Sequence, residues 1–472
     1  MKKTLRVLVP LAGLFALMPL ASHAASGQSN VSCSYSHTLG DDAILMFGMP
    51  NHAMLHDFFG NTSTDAYSTY DTLQAKPETT CDNKADSTAY WAPTMKLPSG
   101  EVVKPSYQKT YYQANSVEKY PLTPFPKGLQ LLAGDHVGTA PNPHVSFLCA
   151  NGNGYTNTAD QVCGLRSGGD AVQFNIGINF PNCWDGVHLK PEKGVANATY
   201  DSNNVCPAAF PVKIPKVNMN IAYVLPQITS LDTSKIQLSL DPEMVGDQRI
   251  EKWGSIYTAH GDFVNGWPEQ SAKYMTDLCM NLAFDCSNTI PYSYEPALED
   301  TVVSSTNSST NYGSSTLLTA SDNWKNGGHA SNPESLILFK FKIPALPEAI
   351  PASEEGLFVY RLRVFGGNAA STATGRLYAY NTSTDWDGKT VNWDNHPATD
   401  YQSAGSVSMN NNHQYRDITV DTAVRQALAE GKTEVAFYLG GDQNGGTYTF
   451  DSTETNHPPL LIVKGYKAAT EN

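Results

Sequence analysis

The chain has 472 residues, with 31 Lys and Arg against 45 Asp and Glu and a formal net charge of −14. That balance excludes nucleic acid and anionic lipid as partners, since both are held through clustered Lys and Arg. Charged residues make up only 16% of the chain while Tyr numbers 24, a polar and aromatic composition suited to meeting neutral sugars, and acidic loops in such a chain also suit calcium.

Met1-Lys2-Lys3 lead into an apolar run from Leu8 to Leu20 and a small-x-small site at Ser22-His23-Ala24. This is the pattern of a secretory signal peptide over residues 1–24, removed near Ala24. No later segment reaches the roughly 18 apolar residues of a membrane-spanning helix. The mature chain is therefore expected to be secreted, periplasmic or extracellular, and its length supports two or three domains.

The next informative stretch, Asn51-His-Ala-Met-Leu-His-Asp-Phe-Phe-Gly-Asn61, sets His52 and His56 four residues apart with Asp57 beside the second. Far downstream, His260-Gly-Asp-Phe-Val-Asn-Gly-Trp267 combines imidazole, carboxylate, aromatic and glycine again. In a helical turn His52 and His56 share a face and chelate a divalent metal. In a strand they stand about 13 Å apart, too far for one ion. His260 and Asp262, spaced by two, share a face if strand-like. The candidate metal ligands are His52, His56, His260 and Asp262, for zinc or a similar divalent ion with a position left for water. The same His and Asp groups also read as residues that tie loops together through backbone hydrogen bonds.

Acid–base candidates are His56, Asp57, Asp135, Asp185, His260 and Asp262; two carboxylates at the right separation make a glycosidase pair. For an elimination, Arg166 is the candidate neutralising cation with His260 or a nearby Tyr as base, and Arg166 equally reads as a salt-bridge residue. Trp184 and Trp267 are either sugar platforms or core residues beside disulfides. There is no Gly-x-Ser-x-Gly elbow, His-Glu-x-x-His, phosphate-binding loop or dinucleotide fingerprint.

Eight cysteines (Cys33, Cys81, Cys149, Cys163, Cys183, Cys206, Cys279, Cys286) are even in number, lack a Cys-x-x-Cys pair and stop at residue 286. Structural disulfides are expected. Proximity suggests Cys149–Cys163, Cys183–Cys206 and Cys279–Cys286, leaving Cys33–Cys81. The cysteine-free remainder argues for a second domain, and the Ser-, Thr-, Asn- and Gly-rich stretch 288–332 separates the two, with the boundary near Tyr294.

Gly 36 and Pro 29 punctuate the chain, and the runs between them are strand-like. Strands are predicted at 171–178, 335–342, 357–364, 434–439 and 460–463. One helix is predicted from Asp421 through Ala429, with Ala423, Val424, Ala427 and Leu428 on one face and Gly431 as its stop.

Two resemblances follow from ordered blocks. Asp300-Thr-Val-Val, Asn311-Tyr-Gly313, Arg361-Leu-Arg-Val-Phe365, Thr384-Asp-Trp-Asp-Gly-Lys-Thr-Val-Asn-Trp-Asp-Asn-His-Pro397, Asp417-Ile-Thr-Val420 and Phe450-Asp-Ser-Thr-Glu454 resemble a DNRLRE domain, also grouped as carbohydrate-binding module family 96. That resemblance implies a jelly-roll β-sandwich that binds sugar on a secreted protein. Read from the residues themselves, Trp386 and Trp393 either stack on sugar rings or belong to the core, and Asp385, Asp387 and Glu454 either ligate a structural calcium or belong to plain turns. Earlier, the His52–Asn61 block, Ala89-Tyr-Trp-Ala-Pro93, Phe180-Pro-Asn-Cys-Trp-Asp-Gly186 and the His260–Trp267 block resemble a secreted domain of unknown function found in fungi and bacteria, sometimes beside WSC sugar-binding domains. Its first block ordinarily reads His-x-His or Asp-His before Phe-Phe-Gly, whereas Met54 stands in the middle here.

The expectation is a mainly β chain: a disulfide-stabilised β-rich N-terminal domain over 30–290, then a jelly-roll β-sandwich over 298–468. Its expected partner is extracellular polysaccharide, acted on by a hydrolase or lyase site in the first domain; the rival reading is a non-catalytic carbohydrate-binding adhesin or matrix protein.

Overall fold

The computed structural model describes residues 27–465 apart from 115–120, 193, 247, 322–323, 326–327, 330–334, 349, 351–354, 369–374, 399–401 and 442–446. The expected signal peptide lies outside the described residues. The chain is mostly strand, and no described helix is long and apolar enough to cross a membrane.

The N-terminal domain is organised by one long strand, Gln28–Leu39. Its first half pairs with Tyr107–Gln113, and its second half pairs with His56–Gly60 after an irregularity between Tyr35 and His37. A strand that bends in this way passes from one layer of a sandwich to the other. On one side the antiparallel order continues through His56–Gly60, Ala89–Pro93 and His260–Val264 to Gln130–Gly134. On the other it runs through Tyr107–Gln113, Lys216–Leu225 and Val172–Asn179 to Val145–Cys149.

Strand alternation decides which side chains fill the space between these layers. In His260–Val264, Gly261 faces Met219 and Ile178 of the other layer, and Phe263 packs against Phe125 and Phe180 at ring separations of 5.7 and 6.1 Å. Tyr90 and Tyr112 meet hydroxyl to hydroxyl across the core, and Trp267 Nε1 donates to the Tyr112 hydroxyl at 3.0 Å. Four disulfides, Cys33–Cys81, Cys149–Cys163, Cys183–Cys206 and Cys279–Cys286, pair the cysteines as proximity suggests.

The second half folds as a β-sandwich whose core holds Phe339, Phe341, Leu362, Phe437 and Phe450. Its predicted strands form as Ser335–Lys342, Val359–Asn368, Glu434–Gly441 and Leu460–Lys464, and its helix as Asp421–Ala429. Only Val424 and Ala427 of that helix are buried; Leu428 lies exposed, so the apolar face is narrower than predicted. The Ser- and Thr-rich stretch expected to separate the domains already contributes strands Ser293–Pro296, Glu299–Ser304 and Leu317–Ser321. Buried Val302 and Val303 in the second of these outweigh the polar composition around them.

The two halves share their last strand. Leu460 and Ile462 pack into the N-terminal core while Leu461 and Val463, on the opposite face, pack into the C-terminal one. Buried Arg363 strengthens the junction: it pairs with Asp417 at 2.7 and 2.8 Å and donates to the Tyr274 hydroxyl at 2.7 Å and the Thr289 carbonyl at 3.1 Å.

Candidate metal centre

The outer face of the sheet bearing His56 carries the chemistry. His56 pairs with Pro93, and Phe58 and Asp262 both pair with Trp91, the centre of the same row. Directly paired antiparallel residues project to one face. His56, Phe58, Trp91, His260 and Asp262 therefore stand on the same side of the sheet. Phe58 and Trp91 help fill a small apolar cluster there with Ala43, Ile44 and Val264. The segment from Asp41 to Met54 folds over it, leaving a pocket of about 140 Å³ lined by Asp42, Met54, His56, Asp241, His260 and Asp262, among others.

Both imidazoles are oriented by the backbone. His56 Nδ1 meets the Asp41 carbonyl at 2.9 Å, and His260 Nδ1 meets the Thr258 carbonyl at 2.8 Å. A carbonyl accepts only, so each Nδ1 carries the proton and each Nε2 presents a lone pair. The rings lie 5.7 Å apart. Ligating atoms of His56, His260 and Asp262 all fall within 4.8 Å of one another.

Burial sets the charge state of the cluster. Desolvation lowers His56 to about 4; desolvation and then the neighbouring His56 lower His260 to about 4. Both rings are neutral at pH 7 and free to coordinate. Burial also raises the Asp262 carboxyl well above the ordinary carboxylate range, with Asp42 adding to the shift. His56 Nε2 and Asp262 Oδ2 have no hydrogen-bond partner among the described residues. Orphaned buried polar atoms are costly, about 1–3 kcal/mol each and more when charged. A cation between them would take the His56 lone pair and favour the deprotonated form of Asp262, satisfying both atoms. Two imidazoles and one carboxylate suit zinc or iron(II), and three protein ligands leave coordination positions open.

Residues 42–267 match the family described as "Domain of unknown function (DUF1996)", and residues 291–465 match "Carbohydrate-binding module family 96". The two matches follow one another along the chain without overlap. No curated protein matches the chain. The metal-type cluster lies wholly within the DUF1996 match, and the family 96 match supports carbohydrate binding in the C-terminal half.

Other sequence-predicted residues lie elsewhere. His52 is exposed, its Nδ1 on the Pro50 carbonyl at 2.8 Å, because residues 51–55 form turns and loop instead of a helix. It is not a ligand of the cluster. Asp57 alternates to the inner face, where it accepts from Thr38 Oγ1 at 2.6 Å and Thr94 Oγ1 at 3.0 Å, and burial raises it to about 7. Asp185 caps a turn through the amides of Val187 and His188 and pairs with His188 at 2.7 Å. Arg166 forms a bidentate pair with Asp170 at 2.9 and 2.6 Å. Asp135 is exposed and caps Val137. Asp57, Asp135, Asp185 and Arg166 do not line the pocket.

The four tryptophans expected to meet sugar differ in exposure. Trp267 is fully buried, so no sugar can reach it, and Trp184 spends its indole N–H on the His188 carbonyl at 2.7 Å. In the family 96 module, Trp386 and Trp393 are half-buried against Val303, Leu338 and Tyr438, and the Lys340 ammonium lies 4.7 Å from the Trp386 ring. Asp385, Asp387 and Glu454 are not brought into a ligand cluster among the described residues. Asp387 instead caps Lys389, and Glu454 accepts from Ser452. Sequence reading missed Asp42 and Asp241 as pocket residues. Asp42 sits in a turn that accepts the Ile44 and Leu45 amides, a loop placement with no periodic signal.

Proposed function

We propose that the N-terminal domain is a metal-assisted hydrolase of an extracellular polysaccharide, held on that polysaccharide by the C-terminal module. The observation that carries this reading is the convergence of two neutral imidazole lone pairs and one unpaired buried carboxylate on a single small pocket. His56 Nε2, His260 Nε2 and Asp262 Oδ2 would hold the ion. When bound, a divalent metal of this kind lowers the pKa of a coordinated water toward neutrality, making a nucleophile.

The chain's own groups do the remaining work. The Asp41 and Thr258 carbonyls lock the ring orientations. Asp42, held above the ordinary carboxylate range by burial, stands in the pocket wall as the group that takes a proton and returns it to the leaving oxygen. Leu45, Met46 and Met54 narrow the space and limit bulk water. Arg166, the cation expected for an elimination, is engaged with Asp170 and lies outside the pocket.

The glycan substrate rests on the family 96 match. Four disulfides fit an oxidising compartment and hence export. Reducing-end release from a panel of soluble polysaccharides tests the activity. Wild type should release sugar from at least one substrate and His260→Ala from none. Equal, zero release by both, across the panel, supports the adhesin reading instead.

A further inference from the structure

The opposite layer of the N-terminal sandwich has its own groove, remote in the fold from the His56 pocket. Along Tyr107–Gln113 the side chains of Gln108, Thr110 and Tyr112 turn inward, so Tyr107, Lys109 and Tyr111 face out. Register places Asn218 beside Tyr111 and Asn220 beside Lys109 on the next strand. Asn220 is followed by Gly177, and Asn218 by Asn179, on the strand beyond.

These amides form a connected row. Asn220 Nδ2 donates to Asn218 Oδ1 at 2.6 Å, and Asn218 Nδ2 donates to Asn179 Oδ1 at 2.8 Å. Tyr155, from the loop after Val145–Cys149, lies across the sheet. A Cβ at position 177 would come within 3.1 Å of the Tyr155 ring and 2.9 Å of Ser146 Oγ, so glycine lets that ring lie against the sheet. The groove holds about 320 Å³ and is walled by tyrosines and asparagines.

We infer that this face is a second carbohydrate-binding site, for a neutral polysaccharide chain, on the domain that is not the carbohydrate-binding module. In a protein of net charge −14, the lining contains no carboxylate and one cation, Lys109, whose ammonium lies 5.0 Å from the Tyr111 ring. Neutral amides offer donors and acceptors together, which is what sugar hydroxyls require. Phenol rings supply flat apolar surfaces with polar tips for the sugar's C–H faces. A protein partner would find no aliphatic or tryptophan anchor in the lining, and an anionic one only a single lysine. The inference holds whether or not the pocket on the other layer binds metal.

Differential tyrosine nitration of the full chain, read by peptide mass, tests it. The probes are soluble neutral glucan, mannan, xylan and galactan, with a polyuronate for comparison. At least one neutral glycan should lower nitration of Tyr107 and Tyr155 severalfold while leaving exposed Tyr67 unchanged, an effect that binding at the C-terminal module alone does not produce. Asn218→Ala and Tyr111→Ala, with unfolding midpoints near wild type, should each remove the protection. Unaltered nitration with every neutral glycan overturns the inference. So does protection by the polyuronate alone that disappears in Lys109→Gln.

Discussion

His260 Nε2 and Asp262 Oδ2 are 3.9 Å apart, beyond hydrogen-bond reach, on side chains that project from one face of one strand. Among the described residues, His260 donates its one hydrogen bond from Nδ1 to the Thr258 carbonyl instead of to Asp262. Here each keeps its coordinating atom toward a shared space, with His56 as the third side.

His52→Ala should leave metal content and turnover unchanged and alter stability by no more than about 0.5 kcal/mol, as for an exposed substitution. His56→Ala should abolish turnover. The pair of variants separates the two histidines that the spacing of four made equivalent, and equal effects of both would contradict the assignment.

Trp267→Phe keeps the ring but loses the indole donor to Tyr112. The Tyr112 hydroxyl keeps Tyr90 as a partner, so the loss of one hydrogen bond and of buried ring volume should cost about 1–3 kcal/mol, to be read in denaturant unfolding. Glycan affinity should not change, because the indole is core and not platform; a selective loss of affinity at unchanged stability would restore the platform reading.

Much of this fold was legible in the sequence, because the composition of a strand is a local signal: the short apolar run of Ser335–Lys342, buried on both faces, stands out between polar segments. Disulfide pairing followed proximity, and the spacing of two that puts His260 and Asp262 on one face required only that the segment be a strand. The convergence of His56 with that pair was not legible. It depends on a third strand, Ala89–Pro93, lying between them, and on a non-helical approach to His56. Composition did not show the strands inside the polar stretch 288–332, since a few buried valines among serines and threonines suffice to build an interior strand.

Asp86 gives a pH signature away from the proposed centre. It is fully buried, accepts from the Tyr90 hydroxyl at 2.7 Å and the Thr88 amide at 3.0 Å, and is raised by burial to about 6. A carboxyl whose folded pKa lies above its unfolded value stabilises the fold fully below the unfolded pKa, and that contribution is lost as pH rises through about 6. Asp86→Asn should therefore gain stability relative to wild type between pH 4 and pH 7, by about 3 kcal/mol for a shift of this size. Paired unfolding curves across that range check it; a flat difference contradicts it.

Arg363→Ala should lower the unfolding free energy by about 3–5 kcal/mol, because it leaves Asp417 without its bidentate partner in a buried setting. It also removes the bonds to Tyr274 and Thr289 that tie the two sandwiches together. Limited proteolysis should then cut first near residues 287–292.

The central claim is the ion held by His56, His260 and Asp262, and elemental analysis after equilibrium dialysis against zinc and iron(II) tests it most directly. Wild type and His52→Ala should each retain about one divalent metal per chain, as expected for a three-ligand site. His260→Ala and Asp262→Asn should retain little. A wild-type protein that emerges metal-free, or variants that hold as much as wild type, would contradict the account.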